Sequence, residues 1–271
     1  SFAGSTDAAP PLHDIVFATP ESHELRLDLF LPEDAKDPPL VVFIHGGGWR
    51  NNSYKKCLTP WLTEYGFAVA SIGYRLSDKA TFPAHVHDCK AAVRWLRAHA
   101  EQYGYNAERI GVAGTSAGGH LALMLGVTGG VDRLEGTVGE NDEQSSRVHA
   151  IVNYYGPSDF VLRSQNQPSK TEKPDSPVRQ LLGVPVRENK ELAKLASPAF
   201  HVTGDDPPLL IMHGDNDKTV HLDQSERMVE EYRKAGLEVT LEIVPGAGHG
   251  GAAHFTPTYR KKVADFLRSH L

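Results

Sequence analysis

The chain predicts an α/β fold, a mostly parallel twisted sheet with helices on both faces. Three observations carry that expectation. Apolar runs of buried-strand length alternate along the chain with stretches of helical spacing. The runs are continuous and β-branched, as strands covered on both faces require. The length, 271 residues, suits a single domain of this kind over 1–271.

Residues 1–12 are small and polar and include two prolines, so they read as a mobile lead-in. A leader removed ahead of Ser1 would leave no trace in this sequence. Asp14–Phe17 and Glu24–Phe30 predict two short strands joined by a polar turn. Leu25, Leu27, Leu29 and Leu31 recur with period two, and the pair is expected to form an antiparallel edge. Leu40–Ile44 is a buried strand, Trp61–Tyr65 is helical, and Ala68–Ile72 is the next strand. From Pro83 a helical pattern runs until Gly104 stops it. Strand Ile110–Ala113, helix Gly119–Val127 and strand Val148–Tyr154 follow. An insertion over about 160–197 then interrupts the alternation. It opens with the polar SQNQPSKTEKPDSP and continues through short helical pieces, and we read it as lid-like. Strand Leu209–Met212, helix Leu222–Ala235, strand Val239–Val244 and helix Pro257–Leu271 complete the pattern. Ligands of such sheets bind beyond the carboxyl ends of the strands.

Composition narrows the function classes. The net charge of −6 and the lack of a basic patch argue against a nucleic-acid partner. Arg260, Lys261 and Lys262 read as a solvated helix face. No run approaches the ~18 apolar residues of a membrane span. Cys57 and Cys89 leave two readings open. They are reduced buried thiols, or one bridge near the catalytic end, which would favour an exported protein.

Gly114-Thr115-Ser116-Ala117-Gly118 fits G-x-S-x-G between a predicted strand and a predicted helix. So tight a turn strains the serine backbone and lifts its hydroxyl above the sheet. The helix behind it aims N–H groups at any oxyanion that forms there. His45-Gly46-Gly47-Gly48-Trp49 follows strand Leu40–Ile44. Its glycines let backbone N–H groups approach a substrate, so Gly47 or Gly48 supplies one oxyanion donor and Ala117 the other. His45 reads as a brace for this loop. A P-loop is excluded, because Trp49 and Arg50 stand where Lys and Ser/Thr would be needed.

An acid beyond a late strand can orient a histidine. Asp217 is preferred over Asp215, which reads as a turn residue. Asp159 is the runner-up. The base should follow the acid in chain order, and His249 in PGAGHG does so, with His254 as its rival. A metal site is rejected, since no third ligand accompanies these histidines at ligand spacing.

Taken together, HGGGW, YRLS, FPAHVHDCKAAVRWLR, GTSAGGH, SPAFHV, HGDNDKTV and PGAGHG resemble the α/β-hydrolase serine esterases. The likeness is greatest to the bacterial feruloyl/acetyl-esterase-like enzymes, which are related to the hormone-sensitive-lipase-like esterases. It spans Asp14 to Leu271. It implies Ser116 as nucleophile, Asp217 as acid, His249 as base, and Gly47, Gly48 and Ala117 as oxyanion donors. The expected activity is carboxylic-ester hydrolysis without a cofactor, on a small-molecule or carbohydrate-linked ester. An amidase or peptidase on the same fold, or an inactive binding protein, are the alternatives. The lipase-like relatives carry a helical cap before the first strands. Few residues precede Asp14 here, so a cap would have to come from the insertion. That insertion is polar at its start, and VRQLLGVPV offers one apolar wall. Trp49 and Tyr155 would narrow the pocket, unless Trp49 instead packs the loop. The expectation is a preference for short or compact acyl groups.

Overall fold

In the computed structural model, which describes residues 9–271, eight strands form one sheet. They are β1 (Leu12–Ala18), β2 (Leu25–Phe30), β3 (Pro39–Ile44), β4 (Ala68–Ile72), β5 (Asn106–Thr115), β6 (Ala150–Tyr154), β7 (Leu209–Gly214) and β8 (Val239–Val244), in the spatial order β1-β2-β4-β3-β5-β6-β7-β8. From β4 to β8 all neighbours are parallel, while β2 is antiparallel to both β1 and β4. This is the α/β-hydrolase fold, with the antiparallel edge where the leading strands predict it. Most of the predicted lead-in, residues 1–8, lies outside the described residues, and its end, Leu12, already belongs to β1.

The helices are α1 (Ala84–Ala98), α2 (Ala100–Tyr103), α3 (Ala117–Val127), α4 (Asp132–Glu135), α5 (Phe160–Asn166), α6 (Pro177–Leu182), α7 (Lys190–Leu195), α8 (Asp223–Lys234) and α9 (Pro257–His270). Each central strand feeds two cores by alternation. Leu40, Val42 and Ile44 of β3 join a cluster with Val86 and Val93 of α1, Leu121 and Leu125 of α3, and Met228 and Tyr232 of α8. Val41 and Phe43 face the other way, onto Trp61 and Leu62 and onto Val263 and Leu267 of α9. Both faces are covered, which is why these strands read as unbroken apolar runs. Among the described residues no helix is long and apolar enough to cross a membrane.

The two cysteines settle on opposite faces. Cys89 of α1 belongs to the first cluster and Cys57 packs against the second, and both are free thiols. The bridged reading is thereby corrected. The sheet stands between the two sulfurs, and nearness to its carboxyl end did not imply nearness to each other.

The insertion is also more ordered than its composition suggested. It folds into α5, α6 and α7 linked by single turns of 3₁₀ helix. Asp159 caps α5 by accepting the Leu162 N–H at 2.9 Å, and Asn189 caps α7 by accepting that of Leu192 at 3.1 Å. Val178, Leu181, Leu182 and Val186 are buried in the first core. The VRQLLGVPV segment therefore packs inward and is not the apolar pocket wall expected of it.

Candidate functional site

Ser116 sits between β5 and α3 with φ 53° and ψ −116°, a backbone conformation that costs a non-glycine residue energy. The surroundings hold it there. Its N–H donates to the Tyr154 carbonyl at 2.9 Å, and its own carbonyl accepts the His120 N–H at 3.0 Å. The flanking glycines are obligatory for steric reasons. A methyl on Gly114 would lie 2.1 Å from the Gly118 carbonyl oxygen, and one on Gly118 would lie 2.0 Å from that of Ile44. The strained turn anticipated from G-x-S-x-G is present.

His249 reaches Ser116 from the loop between β8 and α9. Its Nε2 lies 2.8 Å from Ser116 Oγ and its Nδ1 2.7 Å from Asp217 Oδ2. A carboxylate can only accept, so Nδ1 carries the proton and Nε2 is left to accept from the serine hydroxyl. Asp217 Oδ1 accepts the N–H groups of Thr219 and Val220, both at 2.9 Å. Burial works to raise the Asp217 carboxyl, but hydrogen bonds from His213 and His249 outweigh it and hold it well below the usual carboxylate range. The carboxylate thus stays ionised next to the imidazole. This constellation can take a proton from Ser116 and stabilise the imidazolium that results.

The rival acids and base fall elsewhere. Asp215 accepts the Gly246 N–H at 2.7 Å, pinning one turn to another. Besides capping α5, Asp159 accepts from Arg227 Nε at 3.1 Å. His254 is buried, its ring nitrogens have no hydrogen-bond partner, and it packs edge-on against Tyr155.

Gly47, Gly48 and Ala117 line the same cavity as Ser116 and His249. Gly47 and Gly48 have φ 116° and 61°, and so does the next residue lie in the left-handed region, Trp49 at 59°. Only the glycines do so without strain. His45 braces the loop as expected. Its ring stacks on Tyr74 at 4.4 Å, and the Tyr74 hydroxyl donates to its carbonyl at 3.0 Å. Trp49 borders the cavity, yet its indole is only 2% exposed. The indole N–H donates to His120 Nδ1 at 3.1 Å and the ring meets Phe160 edge-on, so Trp49 anchors the loop to α3 and α5. Of its two readings, packing prevails. Tyr155, with its ring 4.9 Å from that of His249, lines the cavity beside the histidine.

The cavity holds about 800 Å³. Several residues in and behind its wall escaped the sequence reading. His213, fully buried, donates from Nε2 to the Val220 carbonyl at 2.9 Å, and the same nitrogen lies 3.2 Å from Asp217 Oδ2. Its Nδ1 is 2.6 Å from Ser225 Oγ. It opens the HGDNDKTV stretch, but nothing local gives its role, because its partners come from a turn and from α8. Arg163 and Lys170 enter the cavity wall from the insertion. Arg260 also lines it, so the expected solvated face is divided. Lys261 and Lys262 pair with Asp265 and Glu242 outside, while Arg260 turns inward.

The chain is similar in sequence and in fold to known proteins. A family model, BD-FAE, matches residues 27–232. Esterase LipC of Mycobacterium tuberculosis (strain ATCC 25618 / H37Rv) is 32% identical over 230 residues, 83% of this chain and 56% of that protein. The chain thus spans little more than half the length of that relative. Among solved structures, a truncated form of a carbohydrate esterase from gut microbiota superposes with a TM-score of 0.87 at 33% identity, covering 97% of this chain and 96% of that one. The propionate-bound Est2 esterase of Thermogutta terrifontis gives 0.77 at 26% identity, covering 94% of this chain and 93% of that one.

Proposed function

The chain belongs to the BD-FAE family, and from that premise we propose that it hydrolyses carboxylic esters through a covalent acyl-enzyme. The observation that carries the reading is the hydrogen-bonded sequence Ser116–His249–Asp217, at 2.8 and 2.7 Å. Ser116 Oγ attacks the acyl carbon while His249 Nε2 takes its proton. Asp217 stabilises the imidazolium. The N–H groups of Ala117 and of Gly47 or Gly48 receive the developing oxyanion, each such donor being worth roughly 3 kcal/mol. His249 then protonates the departing alcohol. Water, deprotonated by the same histidine, attacks the acyl-enzyme, releases the acid and restores Ser116.

The acyl group is short or compact on this reading. A long aliphatic chain needs a continuous apolar trough. Here the apolar residues Leu58, Val220 and Phe255 share the cavity with Arg163 and Lys170. The likeness to an esterase holding propionate supports the same preference. A carbohydrate-linked alcohol is in keeping with the likeness to a carbohydrate esterase.

Ser116→Ala should lose turnover by on the order of 10⁴ or more while the protein stays folded. Substantial hydrolysis by the clean variant would move the nucleophile elsewhere. Across matched esters from acetyl to palmitoyl, kcat/KM of the unaltered protein should peak among the short acyl groups. A maximum at about ten carbons or beyond would overturn the acyl preference and leave the esterase reading intact.

A further inference from the structure

The cavity is basic in a protein that is acidic overall. The chain has 34 acidic against 28 basic residues, yet Arg50, Lys56, Arg163, Lys170 and Arg260 all line this cavity and no Asp or Glu does. The five come from three separate stretches, the glycine loop and its sequel, the insertion, and α9. One helix face could not have gathered them by periodicity.

None of the five forms an ion pair with a carboxylate among the described residues. Some cations elsewhere are matched, as Lys90 is with Glu135 and Arg227 with Asp159. Others, such as Arg97, donate only to carbonyls. What sets these five apart is that they share one cavity. Neutral acceptors hold the cavity arginines in place. Arg50 Nη1 donates to the Asp175 carbonyl at 2.6 Å and to Gln180 Oε1 at 3.0 Å. Arg163, 3% exposed, donates from Nη2 to the Thr219 carbonyl at 2.8 Å. Arg260 lies over the Trp61 ring at 5.3 Å, and its Nε is buried without a partner. These contacts fix the guanidinium groups without a direct ion pair, and Arg163 also feels the carboxylates of Asp217 and Asp223 at longer range. A cluster of oriented cations with low-dielectric walls concentrates anions, and guanidinium matches a carboxylate with paired donors.

We propose that the cavity recognises an ester whose alcohol portion carries a carboxylate, as an acylated uronic acid does. The inference rests on the esterase reading above. If the acyl group is small, it fills little of an 800 Å³ cavity, and most of the remaining wall meets the alcohol. With the carboxylate against the basic residues, the acyl carbon lies at Ser116 Oγ and the ester oxygen faces His249, which protonates it as the alcohol leaves.

The test measures acetate release from a mono-acetylated methyl glucuronoside, from the matched methyl glucoside, and from acetylated glucose 6-phosphate, with 4-nitrophenyl acetate as a neutral reference. The carboxylate substrate should exceed the glucoside in kcat/KM by about tenfold at low salt. The advantage should shrink at about 0.5 M salt, where such attraction is screened. Arg50→Gln and Lys170→Gln should each reduce the ratio between the two sugars. If 4-nitrophenyl acetate is cleaved and the glucoside is preferred or equal, the carboxylate proposal falls and the esterase reading stands. A ratio that neither substitution moves overturns it as well. Faster cleavage of the phosphate would replace a carboxylate with a phosphate as the group recognised. Cleavage of no ester at all would remove both readings.

Discussion

Asp217 and Asp159 both follow a strand end, and their surroundings separate their roles. Asp217 holds His249 at 2.7 Å, whereas Asp159 caps α5 and meets Arg227. Asp217→Asn should therefore lower kcat by about 10³-fold or more, because an amide no longer fixes the imidazole in the tautomer that accepts from Ser116. Asp159→Asn should keep most activity and lose at most about 1 kcal/mol of stability, since Asn still caps a helix. Steady-state kinetics and urea unfolding of both variants read this out. The reverse order of activity losses would reassign the acid. Asp217 was legible because its motif follows a strand and precedes the histidine. His213, 3.2 Å from the same carboxylate, was not. Nothing local distinguishes a histidine that ends a strand from one that supports an acid, and its other contacts come from distant residues.

The elements depend on how closely backbones can approach at the nucleophile turn. The start of α3 lies against the end of β3, and a methyl on Gly118 would stand 2.0 Å from the Ile44 carbonyl oxygen. Neither partner is a flexible side chain, so Gly118→Ala must displace the helix from the strand. We expect a loss of stability of more than about 2 kcal/mol, with activity falling further than stability because Ser116 and Ala117 shift with the helix. A well-folded, fully active Gly118→Ala protein would show that the turn relaxes at little cost. At this scale the sequence was most legible in the strands, where two-sided burial gives unbroken apolar runs. It was least legible in the insertion. Buried Gln167, Thr171 and Ser176 look like loop residues, and only their neighbours in the fold turn that polarity into packed structure.

For the whole molecule, buried histidines set the response to acid. Burial lowers His45 and His120 from an ordinary 6.5 to about 4, and His85 to about 3. In the folded protein these rings stay neutral below pH 6.5, where the unfolded chain takes up protons. The unfolded state then binds more protons, so stability falls as pH drops from 6.5 toward 4, by about 1.4 kcal/mol per pH unit for each fully shifted ring. Asp206 acts in the opposite sense. Burial raises it from 3.8 to about 6, so it adds stability as pH falls through that range. Burial also lowers His201 and His254 and raises Asp88, so the lowered histidines outnumber the raised carboxylates and leave a net loss. Urea midpoints should be lower at pH 5 than at pH 7, and an equal or higher midpoint at pH 5 would contradict this balance.

The sequence by itself determined the sheet, the strained serine turn, the glycine loop and the chain order Ser116, Asp217, His249, because each depends on a short run of residues whose local geometry is fixed by sterics or hydrogen bonding. Tertiary structure alone decided which side of the sheet each residue occupies. It set Cys57 and Cys89 on opposite faces, sank Trp49 against His120, and placed His213 behind Asp217. It also gathered Arg50, Lys56, Arg163, Lys170 and Arg260 around one cavity. Such neighbours are brought together by packing between segments far apart in the chain, and no local pattern encodes which distant surface a side chain will meet.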